Sequence, residues 1–278
     1  MNLTNYGGLL EKSKKVKYDK YVMKSEQSAN ALFNFMKKLE YLKYILENRA
    51  FIPRYNEEDI YYLGIENLDK MAFPMTCFCD ICIQKIVHHC MNYGNIGIGM
   101  YKEWGISKGL QAIQYLNENS VLAKDLVELF NLSLIDINDN QESEDMTKYK
   151  NYLLGHIMFI KPLQGEMFIN EEYRVMNFHD EKEWRYVPKF DEHMDLDIIT
   201  QKESLNQNAY NLYSQVLKEN KNTWLKFDYN DIKYLFVASE MDRDEVIKFI
   251  SSKINIDEFE KYILISKIIV LDSIEEDM

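Results

Sequence analysis

Apolar runs and helical periodicities alternate along the first part of the chain, a pattern typical of mixed strand and helix structure. Residues 31–35, ALFNF, predict a strand, and a recurrence of leucine and isoleucine at helical spacing predicts a helix over 37–48. Pro53 ends this unit because proline lacks an amide donor and restrains the preceding residue. Arg54 and Tyr55 are then expected to begin a loop.

A second strand followed by a helix is predicted next. Residues 72–80, AFPMTCFCD, are largely apolar, and Asp80 is expected to cap a helix whose apolar face includes Cys90 and Met91. In NYGNIGIGM, at 92–100, glycines alternate with isoleucines. This alternation predicts a strand that is approached closely by a ligand or by another backbone.

The middle of the chain continues in short elements. We predict a helix over 101–109, a strand over 110–116 and a helix over 120–132. An acidic, aperiodic stretch near 135–147 predicts an exposed loop or the joint between two lobes. The segment FHDEKEWRYVP, at 178–188, predicts an edge or barrel-like strand.

The C-terminal part predicts a compact closing unit. After a mostly helical segment at 199–220 come the strands WLKF and IKYLFVA, and Ser239 is expected to cap a helix over 243–254. A last strand is predicted at 267–271. No repeat or heptad pattern accompanies these elements, which argues against a solenoid or coiled coil.

These elements together predict the α+β class, with a mixed, mostly antiparallel split sheet and flanking helices. Residues 1–26 are polar and aperiodic, so they are expected to form an N-terminal arm. A single α+β domain is expected over residues 27–278, with the acidic stretch as its loop or insertion.

Composition narrows the classes of partner. The net charge of -12 opposes general attraction to phosphate backbones, so direct nonspecific nucleic-acid binding is not expected. No apolar run reaches the roughly 18–20 residues needed to cross a bilayer, and no secretory signal is recognisable. The four cysteines lie within residues 77–90, a poor framework for disulfides, which favours reduced thiols and a cytoplasmic location.

Two clusters could carry chemistry. Four cysteines with His88 and His89 offer zinc ligands, but their spacing does not form two separated knuckles, so no metal is expected. Glu183 could act as a catalytic carboxylate. The alternative is a salt bridge from Glu183 to Arg185 or Lys182. The chain has no phosphate-binding loop and no Gly-x-Ser-x-Gly nucleophile elbow.

Several segments in fixed order resemble one family. LFNFMKKLEYLKYILENRAFIPRY, AFPMTCFCDI, NYGNIGIGMYKEWGISKG and FHDEKEWRYVP, within about residues 30–190, are similar to the AbiGi-type family of bacterial abortive-infection, or phage resistance, proteins. This resemblance implies an antitoxin whose partner is a nucleotidyltransferase-like toxin. A phage protein is the other partner that the resemblance makes us expect.

The same order of elements is more distantly similar to ADP-ribosyltransferase-like folds. That similarity implies NAD as a cofactor and Glu183 as the catalytic carboxylate, which would hold the nicotinamide ribose as positive charge develops. The residues implied as NAD contacts are Asn34, Phe35, Arg54, Tyr93, Tyr101 and Arg185.

One departure from the family pattern keeps two functions open. The family commonly has Phe-His-Phe where this chain has Phe33-Asn34-Phe35, and asparagine can hydrogen-bond a ribose but does not titrate as an imidazole does. The first function is antiphage defence with NAD-dependent ADP-ribosyl transfer through Glu183. The second is a non-enzymatic antitoxin or phage-sensing module in which the same cleft is degenerate.

Overall fold

The structure, a computed structural model, describes residues 24–65, 68–135, 144–169, 172–189, 198–199 and 204–275. Most of the predicted arm, residues 1–23, lies outside the described residues, as does the greater part of the predicted acidic loop. Helices occupy both ends of the predicted stretch, up to residue 135 and from residue 144.

Strands and helices alternate throughout the described ranges. The strands are β1 (Ala31–Met36), β2 (Ala50–Phe51), β3 (Arg54–Asp59), β4 (Lys70–Cys79), β5 (Ile96–Tyr101), β6 (Gln111–Ala112), β7 (Gln114–Leu116), β8 (Ile160–Pro162), β9 (Gln164–Ile169), β10 (Glu172–Asn177), β11 (Glu183–Tyr186), β12 (Leu225–Lys226), β13 (Ile232–Val237) and β14 (Ile268–Val270). The helices are α1 (Leu39–Asn48), α2 (Ile86–Tyr93), α3 (Lys102–Ser107), α4 (Val121–Ile135), α5 (Glu144–Ile157), α6 (Gln207–Glu219), α7 (Glu240–Lys253), α8 (Glu258–Ile265) and α9 (Leu271–Glu275).

An eight-stranded sheet organises the fold. Its order is β14-β13-β5-β1-β4-β11-β6, with β3 added beside β4. The pairs are antiparallel except for β13 with β14. The predicted α+β class with a mostly antiparallel sheet and flanking helices is therefore confirmed.

The strand that carries Glu183 is not at an edge. β11 lies between β4 and β6, so the predicted edge position is wrong. The predicted strand at 178–188 is also too long, since residues Phe178–Glu181 form a 3₁₀ turn. The pairing partner β6 comes from the predicted strand at 110–116, which is split into β6 and β7.

Residues after Pro53 form a strand rather than the predicted loop. In β3, Tyr55 is buried and pairs with Pro74 of β4, and Arg54 pairs with Met75. This segment is polar overall, so its local sequence does not favour a strand. Pairing with the apolar β4 overrides that preference.

Asp80 does not cap the helix that follows it. Helix α2 begins later, at Ile86, after a 3₁₀ turn over Ile83–Lys85. The carboxylate of Asp80 instead accepts a hydrogen bond of 2.6 Å from the ammonium of Lys102, and both side chains are almost fully buried. A buried charge requires an opposite charge, which outweighs capping here. On α2, Cys90 is buried as predicted, whereas Met91 is exposed.

Aromatic rings of the neighbouring strand β1 pack against the glycines of β5. A Cβ at Gly97 would lie 2.6 Å from Cδ1 of Phe35, and one at Gly99 would lie 2.9 Å from Cε1 of Phe33. The space predicted for a ligand or another backbone is therefore filled by side chains of the neighbouring strand. The predicted strand itself is confirmed.

The C-terminal unit follows its sequence pattern closely. Ser239 caps α7 as predicted, accepting a hydrogen bond from the amide of Asp242, whose carboxylate in turn accepts one from the amide of Ser239. Helix α8, by contrast, has no counterpart in the prediction. None of the described helices is long and apolar enough to cross a membrane.

Alternation along β1 places two apolar cores on opposite faces of the sheet. One core contains Leu32 and Met36, together with residues of α1, α3, α7 and α8. The other contains Phe33, Cys79 and Cys90 and packs against α2. Because side chains alternate along a strand, Asn34 belongs to the first face and Phe33 to the second.

Gly94 provides a test of the turn between α2 and β5. Its φ of 112° disfavours other residues, and an added Cβ would collide with the carbonyl group of Met36. We expect Gly94→Ala to lower the free energy of unfolding by about 2–3 kcal/mol. The same change at Gly155, in α5 with open space around it, is expected to raise that free energy by about 0.5–1 kcal/mol. Urea unfolding measures both, and equal effects would contradict the expectation.

Candidate functional site

Five charged side chains meet beside the second face of the sheet, which is the face that carries Phe33 and Cys79. This buried charge cluster consists of Glu58, Lys161, Glu181, Glu183 and Arg185. Strands β3, β8 and β11 supply four of them, and the 3₁₀ turn before β11 supplies Glu181. Three carboxylates therefore face two cations.

Arg185 is the most deeply placed member, with no exposed surface. Its Nε donates to Oε1 of Glu183 at 2.8 Å, one terminal nitrogen donates to Glu58 at 3.2 Å, and the other donates to the carbonyl oxygen of Met158 at 2.6 Å. The planar guanidinium satisfies three acceptors from separate segments at once. It thereby joins β11, β3 and the segment that follows α5.

Lys161 binds the other oxygen of Glu183. Its ammonium lies 3.3 Å from Oε2 of Glu183 and 3.1 Å from Oε2 of Glu181, and it sits 4.4 Å from the ring centre of Phe178. Both carboxylate oxygens of Glu183 are thus engaged by cations, one on the buried Arg185 and one on the partly buried Lys161.

These contacts set the protonation of the cluster. Burial alone would raise the pKa of Glu183, but the charges of Arg185 and Lys161 outweigh it and lower that pKa to about 2. Burial would lower the pKa of Lys161, yet Glu183, Glu58 and Glu181 hold it well above its ordinary value. Both groups are therefore charged at neutral pH.

An aromatic chain extends the cluster toward α2. The hydroxyl of Tyr93 donates to Glu181, and the ring of Tyr93 stacks on His89 with centroids 4.4 Å apart. His89 in turn lies 5.6 Å from the ring of Phe35. Burial, together with the charge of Lys161, lowers the pKa of His89 to about 4, so this histidine is neutral at pH 7.

Two further tyrosines border the cluster. The backbone amide of Glu183 donates to the hydroxyl oxygen of Tyr115 at 2.7 Å. The buried hydroxyl of Tyr62 has no hydrogen-bond partner among the described residues. Burial and then the charge of Glu58 raise the pKa of Tyr62, so its phenol stays protonated.

Four of the seven candidate residues are brought together. Glu183 and Arg185 belong to the cluster, and Tyr93 and Phe35 are linked to it through Glu181 and His89. The bond between Glu183 and Arg185 was the alternative role proposed for this glutamate.

Asn34 lies apart from Glu183. Phe33 pairs with Cys79, which pairs with Glu183, so these three side chains share one face and Asn34 points to the other. The amide of Asn34 donates to the carbonyl oxygen of Cys77 at 2.9 Å. It bridges β1 and β4 just beyond their single paired position.

Arg54 and Tyr101 also lie elsewhere. Arg54 is exposed at the start of β3, with its guanidinium 5.9 Å from the ring centre of Tyr41. Tyr101 is exposed at the end of β5, where the ammonium of Lys233 lies 5.8 Å from its ring centre. Neither contacts the buried charge cluster.

Sequence reasoning missed three members of the cluster. Glu58 lies in a polar segment predicted as a loop, and Lys161 in an apolar stretch whose charge has no local partner. Glu181 lies two residues before Glu183, and this pair was the one signal that could have drawn attention to it. Among the described residues, no group of three or more His, Cys, Asp and Glu side chains is arranged to hold a metal.

Comparison with known proteins places the chain in a family. The sequence model of the family described as "Putative abortive phage resistance protein AbiGi, antitoxin" matches residues 49–238 of the 278. The chain belongs to the AbiGi family. It is 37% identical to the abortive phage resistance protein AbiGi of Lactococcus lactis subsp. cremoris, over 82% of this chain and 99% of that protein. No solved structure matches the chain.

Membership of the AbiGi family supports a role in antiphage defence. The match to the family includes every residue of the buried charge cluster, whereas Asn34 and Phe35 precede it. The AbiGi segment thus contains the complete ion network.

The ion network can be tested by removing one or both charges. Glu183→Gln leaves the charge of Arg185 without its main partner, so we expect the free energy of unfolding to fall by about 3–5 kcal/mol. Glu183→Gln combined with Arg185→Met removes both charges and is expected to recover most of this loss. Chemical unfolding of the wild type, both single variants and the double variant measures the coupling. The exposed Glu166→Gln serves as control, and strictly additive losses would contradict the network.

The pKa of His89 predicts a dependence on pH. The pKa of His89 is about 4 in the folded protein and has its ordinary value of 6.5 in the unfolded chain. As the pH falls, the unfolded chain therefore binds a proton before the folded protein does. The stability from neutral His89 is therefore complete above pH 6.5 and declines toward pH 4, by up to about 1.4 kcal/mol per pH unit. We expect His89→Gln to flatten this decline between pH 6.5 and 5, and the exposed His156→Gln not to. Identical slopes for His89→Gln and wild type would contradict the assignment.

Proposed function

We propose that the protein is the antitoxin of an abortive-infection pair and acts by binding a toxin protein. The family description supports the antitoxin role, and the family and the relative from Lactococcus lactis both support the defence role. The contacts of the Glu183 carboxylate favour binding over catalysis. Its carboxylate is buried and held on both oxygens by Arg185 and Lys161, which leaves it no free oxygen for a substrate.

The net charge of the chain favours a partner with a basic surface. The chain carries a net charge of -12, and an acidic surface accelerates association with a basic one and disfavours other acidic proteins. The family resemblance implies a nucleotidyltransferase-like toxin. An enzyme of that class binds phosphates, and lysine and arginine side chains are common phosphate partners. Masking such a surface is a direct way to inactivate it.

A second candidate is NAD-dependent ADP-ribosyl transfer through Glu183. Two observations support it. Glu183, Arg185, Tyr93 and Phe35 belong to one connected set of side chains. The pKa of Glu183 is also shifted, and shifted pKa values concentrate at functional sites. In this reaction the carboxylate would hold a ribose hydroxyl of NAD and stabilise the developing positive charge. A carboxylate oxygen would first have to leave Lys161 or Arg185.

One experiment separates the two candidates. The protein is co-expressed with the toxin encoded beside its gene, and growth rescue and co-purification are scored for wild type and for Glu183→Gln combined with Arg185→Met. Binding predicts that both rescue growth and retain the toxin equally. In parallel, each purified protein is incubated with radiolabelled NAD and cell extract, and no transfer of label is expected.

The opposite outcomes are equally clear. Transfer of label by the wild type that disappears in the double variant would establish ADP-ribosyl transfer. Failure of the folded wild type to retain or neutralise the toxin would remove the antitoxin proposal. Thermal unfolding of both proteins confirms that they are compared in the folded state.

A further inference from the structure

A groove lies beside the buried charge cluster, on the outside of the protein. It has a volume of about 740 Å³ and runs between α4 and the 3₁₀ turn Tyr61–Leu63. Tyr62 and Val127 are among its lining residues. Tyr62 thus lines the groove while its hydroxyl is buried in the protein interior.

Helix α4 is apolar on two sides. Its inner side buries Ala123 and Phe130 in the core beneath it. Its outer side exposes Val121, Leu122, Leu129 and Leu132 by 72%, 54%, 44% and 54%. Exposed apolar side chains that are grouped on one side of a helix mark interaction sites. Among the residues that the structure describes, nothing covers the outer side of α4.

The charged residues around the groove are mainly acidic. Glu118 and Glu128 line it, and Asp125 is exposed on the same helix between Leu122 and Leu129. Lys124 is the basic residue among the lining residues. An apolar surface that contains and borders carboxylates is complementary to an apolar segment flanked by basic residues.

We propose that the groove and the outer side of α4 form the docking site for the toxin. This inference rests on the proposed antitoxin function and specifies its surface. The occupant is an amphipathic helix of the toxin whose apolar side chains contact Leu129 and Leu132 and whose lysine or arginine residues face Glu118 and Glu128. Binding of a helix in an apolar groove is a recurring mode of recognition.

The apolar contact is tested by Leu129→Arg combined with Leu132→Arg. These side chains are exposed, so the fold is expected to tolerate the change, and the added positive charges repel a basic partner. We expect the Kd for the purified toxin from the neighbouring gene to rise at least about 30-fold, as when a binding hot spot is removed. Leu212→Arg is the matched control, since Leu212 is 64% exposed on α6, and it is expected to leave the Kd unchanged.

The charge contact is tested by Glu128→Lys. We expect a Kd about tenfold higher at low salt, with a smaller difference in concentrated salt because screening weakens the interaction. Isothermal titration at two salt concentrations measures this change. Thermal unfolding of each variant, compared with the wild type, shows whether the fold is retained.

The outcomes distinguish this inference from the function on which it rests. A wild type that does not bind the toxin removes both. A wild type that binds, with unchanged Kd for both α4 variants, overturns only the docking site.

Two other occupants are tested directly. If Leu129→Arg and Leu132→Arg convert a dimer into a monomer without changing the Kd, a second copy occupies the surface. If deletion of residues 1–23 abolishes the effect of the variants, the arm occupies it.

Discussion

A full positive charge on Arg185 lies where water does not reach, and the surrounding chain is arranged to compensate it. The cost of desolvating a guanidinium is several kcal/mol, so its three acceptors must be in place whenever the protein is folded. Those acceptors belong to Glu183, two residues away on the same strand, and to Met158 and Glu58, which are distant from Arg185 in sequence. The ion network therefore specifies which segments meet on this side of the sheet.

The same network limits what Glu183 can do. A carboxylate that neutralises two cations is fixed in place and held ionised, which suits a structural role and binding better than a catalytic cycle. The AbiGi family match contains the whole network, so the arrangement belongs to the part of the chain that carries the family resemblance. The family match, the buried charge cluster and the exposed apolar surface of α4 thus lie in one segment.

Sequence predicts the elements whose signals are local. The alternation around Gly97, the periodicity after Leu39 and the cap at Ser239 each depend on residues within a few positions, and each corresponds to the structure. The pairing of β3, the bond from Asp80 to Lys102 and the partners of Glu183 depend on contacts across the fold. Hydrophobic periodicity contains no information about which distant charges will meet.

The position of β1 has a consequence for dividing the chain. Residues 31–36 precede the AbiGi family match, yet β1 lies between β5 and β4 and pairs with β5 at six successive positions. A fragment restricted to the matched residues would lack the strand that joins the two halves of the sheet, and β5 would present an unpaired apolar edge prone to self-association. The smallest autonomous folding unit of this protein therefore begins upstream of the segment by which the family is recognised.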